Sequence, residues 1–141
     1  MEQKHRDNLL TLAQFLENNR VICQNFDMSN FVEPCGSAAC AMGWAPVALG
    51  HYSRPPGLPP TEFCLLSTDY FDLDDSSPEW DWLFSGEWAA VDNTPEGAAW
   101  RIRYLLTHGV THDLEDCVDY LTHADPEETV KHYNAMRETV L

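Results

Sequence analysis

Apolar residues near the start of the chain fall at helical spacing. Leu9, Leu12, Ala13 and Leu16 share one face of the stretch from 5 to 19, the i, i+3, i+4, i+7 pattern of a helix with one buried side. The same period returns in the last third. "NTPEGAAWRIRYLLTHG" places Ala98, Ile102, Leu105 and Leu106 on one face. Thr94 is its cap, Pro95 its first helical residue, Glu96 sits at the positive end of the dipole, and Gly109 is the stop. "VTHDLEDCVDYLTHA" repeats the pattern with Leu114, Cys117, Val118 and Leu121. "DPEETVKHYNAMRETVL" opens on Asp125, Pro126 and Glu128, a capping-box arrangement, and is expected to bury Val130, Tyr133 and Val140.

Between these helices the period is lost. "VICQNFDMSNFVEP" is aromatic and turn-rich, a connector expected to tuck Phe26, Met28 and Phe31 against the core. Ser37 is positioned to cap a helix with the body "AACAMGWA", in which Pro46 removes a donor and predicts a kink or restart. "SRPPGLPP" holds four prolines and reads as a stiff extended bridge. "EFCLLSTDYF" is β-prone at best, a short strand or an irregular buried segment. In "SSPEWDWLF", Ser77 and Pro78 start a short helix that turns Trp80, Leu83 and Phe84 inward and Trp82 outward. The expected fold is mainly α: one domain over 1–141, a small helical bundle with an irregular or short-stranded acidic middle.

Composition changes this picture little, and charge changes it more. Hydrophobic residues at 44% are ample for a core, so wholesale disorder is not expected. The first segment lacks the apolar block and cleavage site of a signal peptide, which predicts a cytoplasmic protein with its five cysteines reduced. Twenty-three acids against eight bases leave a formal charge of −15. Between Arg54 and Arg101 there is no Lys or Arg, while ten acids run from Glu62 to Glu96. Such a field repels nucleic acid and anionic lipid, which argues against direct binding to either, and attracts basic grooves.

The candidate chemistry is thin. "EPCGSAACAMGWAP" invites a metal reading, with Cys35 and Cys40 completed by His51 and Cys64. The spacing is C-x4-C with no second pair, unlike most zinc sites. Either thiol near a helix start is a possible nucleophile, but no histidine is singled out as its base, and Cys40 lies among alanines. The fuller reading is close packing, with Gly36, Ala38, Ala41, Gly43 and Ala45 leaving a nearly bare helix face for another helix, or for Trp88 or Trp100. His108, His112 and Asp116 have ligand-like spacing, but Gly109 interrupts them; His123 pairs more simply with Asp119. A calcium loop counted from Asp72 puts Ser77 where glycine belongs and Leu83 where the bidentate glutamate belongs.

Three segments together carry a resemblance: "FDMSNF…CGSAACAMGWAP", "WLFSGEW" and "TPEGAAWRIRYLL". They resemble a loose group of small phage and bacterial proteins with an F-x-M-S-x-aromatic segment, a C-G-[ST]-x-x-C-x-x-G-[WH]-A segment and a later leucine-phenylalanine step. The likeness covers about residues 8 to 109. Trp44 stands where the group has Trp or His, which argues against a ligand role there. The resemblance carries no catalytic residue across. It implies the class of small acidic phage or mobile-element proteins, many of which block host defence, anti-CRISPR proteins among them.

The sequence therefore leads to a non-enzymatic interaction protein, monomeric or dimeric, with no cofactor and no metal. Its expected partner is a basic protein such as a nucleic-acid-binding effector. The expected contact residues are Asp69, Asp72, Asp74, Asp75, Glu79, Asp81, Trp82 and Glu87, an aromatic anchor ringed by carboxylates. The alternatives are a zinc-stabilised regulatory module on Cys35, Cys40, His51 and Cys64, and a cysteine-dependent hydrolase.

Overall fold

Proline sets the start of four helices. In the computed structural model, which describes residues 1–19, 26–28 and 40–139, the elements are α1 (Gln3–Asn18), α2 (Ala41–Ala48), α3 (Pro60–Phe71), α4 (Pro78–Phe84), a 3-10 turn (Gly86–Ala90), α5 (Pro95–His108), α6 (His112–Thr122) and α7 (Pro126–Thr139). α3, α4, α5 and α7 each begin on the proline itself, whose missing N–H costs nothing in the first turn. Side-chain caps satisfy the next donors. Ser77 Oγ accepts from the Trp80 N–H at 3.2 Å, Thr94 Oγ1 from Gly97 at 3.0 Å and Thr111 Oγ1 from Leu114 at 3.1 Å. Asp125 Oδ1 accepts from Glu128 N–H at 3.2 Å, the forward half of the expected capping box, while the Asp125 N–H donates to the Tyr120 carbonyl at 3.1 Å in place of the return bond. No β-strand occurs among the described residues.

α1 lies along α5, and α6 and α7 form a hairpin, with α4 packed against both α5 and α6. α1 also supports α2 and α3. Side chains lock α1 in register. Arg103 donates to both carboxylate oxygens of Glu17 at 2.8 and 2.6 Å, Arg6 donates to the Leu106 carbonyl at 2.9 Å, and Asn8 donates to the Tyr70 carbonyl at 2.9 Å. The buried faces of α1, α5 and α6 are those the spacing predicts, except that Leu106 is only half-buried. In α7, Tyr133 is buried as expected, but Thr129 and Met136 flank it and Val130 is half-buried. Val140 lies outside the described residues.

The middle third departs from expectation in two ways. "EFCLLSTDYF" is helix α3 and not a strand. It has almost no β-branched residues, Glu62 sits in its first turn, and Phe63, Ser67, Tyr70 and Phe71 recur at helical spacing on the buried side. It ends where Asp72 adopts φ +56° and its N–H returns to the Thr68 carbonyl at 2.9 Å, a left-handed helix stop closed by a 5→1 bond. The second departure is Trp82, expected to face out. It is completely buried, with Trp80 half-buried beside it. α4 is short and packs on α5 and α6, burying Trp82, Leu83 and Phe84 while Pro78 to Asp81 stay at least partly exposed. Trp82 takes the most enclosed position because its indole N–H finds the Arg101 carbonyl at 2.9 Å. Around it stand Trp88 at 5.4 Å, Tyr104 at 5.5 Å, Trp100 at 6.2 Å and Tyr133 at 6.3 Å between ring centroids.

α2 runs through Pro46 without restarting and stops at Ala48. Ala41, Gly43 and Ala45 are buried, and the helix packs chiefly on α1, with Trp44 near Phe15 at 6.0 Å. Trp88 and Trp100, the aromatics expected on this face, belong instead to the Trp82 cluster. Phe26 and Met28 are buried as expected. Phe31, Cys35, Gly36, Ser37 and Ala38 lie outside the described residues.

Candidate protein-binding surface

Asp72, Asp74, Asp75 and Glu79 are carried by the corner between α3 and α4, with Asp69 in the last turn of α3, Asp81 within α4 and Glu87 on the 3-10 turn beyond it. The left-handed stop of α3 leaves Asp72 exposed, and a tight turn follows. Asp74 Oδ1 accepts from both the backbone N–H and the hydroxyl of Ser76, at 2.8 and 2.7 Å. Those two bonds hold the Asp74 carboxyl below the usual carboxylate range. Asp69, Asp72, Asp74, Asp75 and Glu87 are exposed, and Glu79 and Asp81 are half-buried. Desolvation raises the Asp81 carboxyl, and the charge of nearby Asp75 raises it further.

None of these seven acids forms an ion pair with Lys or Arg among the described residues. The bases that are engaged are engaged elsewhere: Arg103 by Glu17 at 2.6 Å, and Arg101 and Arg137 by Asp92 at 3.9 and 3.1 Å. Trp82, the eighth expected contact residue, is a core residue and is unavailable to a partner. Asp92, counted by its sequence position with the acidic surface, is half-buried and turned toward the core, its side chain 13% exposed. Its carboxylate accepts from Thr94 at 2.6 Å, from the Tyr133 hydroxyl at 2.7 Å and from Arg137 at 3.1 Å. Burial works against its charge, but those bonds and the two guanidinium groups together bring its pKa below the usual value.

This interior cluster was not legible from spacing. Arg101 is completely buried, its guanidinium 4.2 Å over the Trp88 ring and its Nη1 donating to the Tyr133 hydroxyl at 3.2 Å. Its only sequence signal is an arginine on the otherwise apolar face of α5. Gly97 marks the same place, since a Cβ built there would collide with the Asp92 carboxylate.

The remaining candidate groups do not assemble. The three described cysteines are free, and burial pushes the Cys40 thiol up to about 11 and the Cys117 thiol up to about 12. A nucleophile needs the opposite shift. Cys64 is half-buried on α3, and the His51 ring nitrogen meets the Tyr70 hydroxyl at 3.0 Å. Among the described residues no group of three or more His, Cys, Asp or Glu is placed to hold a metal ion. The His108 ring packs at a tilt on Tyr104, 4.8 Å between centroids, while His112 begins α6. His123 faces Asp119 at 3.5 Å on the exposed side, the pairing the spacing favours. No described helix is long and apolar enough to cross a membrane. Comparison with protein-family models, with curated proteins and with solved structures finds no match.

Proposed function

We propose that the protein is a non-enzymatic interaction module whose acidic α3–α4 corner occupies the basic surface of a nucleic-acid-binding protein. The observation that carries this reading is the division of charge. Asp69, Asp72, Asp74, Asp75, Glu79 and Glu87 have no basic partner among the described residues, while Arg101, Arg103 and Arg137 are held by Asp92 and Glu17. Unpaired carboxylates on an ordered corner steer a cationic surface toward them and give up little internal stabilisation on binding. The resemblance to small phage and bacterial proteins extends the reading to a mobile-element inhibitor of a host effector such as a CRISPR nuclease, acting in the cytoplasm. Trp82 plays no part in contact; the recognition is electrostatic.

The test is capture from bacterial lysate by the immobilised protein, beside a variant carrying Asp69→Asn, Asp74→Asn, Asp75→Asn and Glu87→Gln. The wild type is expected to retain a nucleic-acid-binding protein at about 50 mM salt and release it by about 300 mM. DNA or RNA is expected to compete for that captured protein, and the variant to capture none of it. Equal capture by the variant, or capture indifferent to salt, refutes the reading.

A further inference from the structure

One cavity touches the acidic corner. It encloses about 350 Å³ between the start of α1, the α3–α4 turn and the end of α5. Leu73, Leu105 and Leu106 give it an apolar lining, and Asp72, Glu79 and Arg6 line it as well. Leu73 and Leu105 are almost wholly buried, whereas Val110 at the lip is 40% exposed. Two helices end here, α3 at Asp72 and α5 near Gly109. The negative ends of both dipoles therefore add to the two carboxylates.

The chain already shows what this place accepts. The Arg6 guanidinium donates to the Leu106 carbonyl at 2.9 Å, in the last turn of α5. Arg6 forms no ion pair with Asp72 or Glu79 among the described residues. Both carboxylates stay open to a second cation.

The geometry points to a receptor for one arginine side chain of the basic partner, its stem on Leu73, Leu105 and Leu106 and its guanidinium between Asp72 and Glu79. This deepens the acidic-surface reading and rests on it. Charge complementarity selects a cation. The apolar lining selects a long stem, and two carboxylates lining one cavity favour a guanidinium with several donors over a strongly hydrated ammonium. A broad acidic face needs none of these features to attract a basic partner.

The probe is labelled nona-arginine, compared by fluorescence anisotropy with the nona-peptide of 2-amino-3-guanidinopropionic acid. The two carry the same guanidinium charge, but the second has a stem shorter by two methylenes. Wild-type protein is expected to bind nona-arginine about tenfold more tightly, the worth of two buried methylenes. Asp72→Asn with Glu79→Gln should bring the two affinities within about twofold, whereas Asp116→Asn with Glu127→Gln on the far helices leaves the ratio intact. Arg6→Gln keeps an N–H for the Leu106 carbonyl and removes a competing charge, so nona-arginine should bind more tightly.

Equal affinity for the two peptides, with binding still lost on neutralising Asp69, Asp74, Asp75 and Glu87, overturns the receptor and leaves the acidic surface standing. A tenfold preference that survives Asp72→Asn with Glu79→Gln also overturns it, as does weaker binding by Arg6→Gln. Failure of both peptides to bind wild type removes the acidic-surface reading and the receptor with it.

Discussion

Replacing Asp92 by Asn should cost more stability than any single change on the acidic corner. Among the described residues the buried Arg101 guanidinium has its nearest counter-charge at 3.9 Å, and its Nε and Nη2 have no hydrogen-bond partner. A unit charge pair near 4 Å is worth about 4 kcal/mol at an effective dielectric of about 20. Asp92 also takes the Tyr133 hydroxyl at 2.7 Å, a bond to a charged acceptor worth about 1.5–3 kcal/mol. Asn keeps the shape and a carbonyl oxygen, so part of the second term survives. The Arg137 contribution is discounted because that side chain is 40% exposed. About 3–4 kcal/mol of net loss follows, within the range for breaking a buried pair by removing one partner.

Urea denaturation followed by tryptophan fluorescence reads this directly, as a lower midpoint at unchanged slope. Thermal unfolding should move down by on the order of 10 °C. Arg101→Met in the Asp92→Asn background removes the stranded charge and should recover more than half of the loss. Acidification gives the same answer by a different route. The folded pKa of Asp92 is depressed, so its contribution is present above the unfolded value near 4 and is lost as pH falls through the folded one. Asp92→Asn should flatten the acid limb of stability against pH. A loss under about 1 kcal/mol with an unchanged acid limb would mean that Arg101 is held by the Trp88 ring and by water, and the account of the interior would be wrong.

Gly97→Ala drives a methyl into the Asp92 carboxylate and should cost about 1–3 kcal/mol, with the loss smaller in an Asp92→Asn background than alone if the two act at one place. Urea midpoints of the four proteins measure this, and full additivity would contradict it. At the alkaline end, burial raises the Cys40 thiol to about 11 and the Cys117 thiol and Tyr133 phenol to about 12. Their contributions are fully present below the unfolded values and are lost as pH rises through the folded ones. Stability should therefore decline from about pH 9 upward, and Cys117→Ala should soften the decline while lowering stability at neutral pH. A pH series of urea midpoints that stays flat to pH 11 would contradict this.

The sequence shows local rules well and the meeting of distant segments poorly. Caps and prolines mark helix starts because both act within one turn, and so Thr94, Ser77 and Asp125 are legible. The inward faces of α1, α5 and α6 follow from a period that a long helix samples several times. α4 is only seven residues, too short for its period to show which tryptophan faces in. Trp82 rather than Trp80 is central because Arg101, Trp88 and Tyr133 surround it, and those residues come from the 3-10 turn, α5 and α7. α3 reads as a strand when its aromatics are weighed one by one. Its helix becomes visible from Pro60 and Glu62 at the front and the left-handed Asp72 behind. The acidic corner follows from the run of acids alone, but Asp92 shows the limit of that reasoning. Its position in the run is no different from that of Asp81, and only tertiary structure turns it inward.

The total charge and its placement have separate consequences, and the placement matters more here. A chain at −15 could have paired its few cations on the surface, leaving the acids evenly diluted. Instead Arg101 is fully buried, Arg137 leans on the half-buried carboxylate of Asp92, and Arg103 alone of the three pairs at the surface, tying α5 to Glu17 of α1 and not to the acidic corner. These cations hold helices to one another and leave the α3–α4 corner uncompensated. That corner then carries repulsion that the fold must outweigh, and salt relieves it. The same salt weakens attraction to a basic partner. Ionic strength thus acts with opposite sign on the fold and on the proposed complex. This separates the two roles of charge, because a surface kept only for solubility gives the first response without the second.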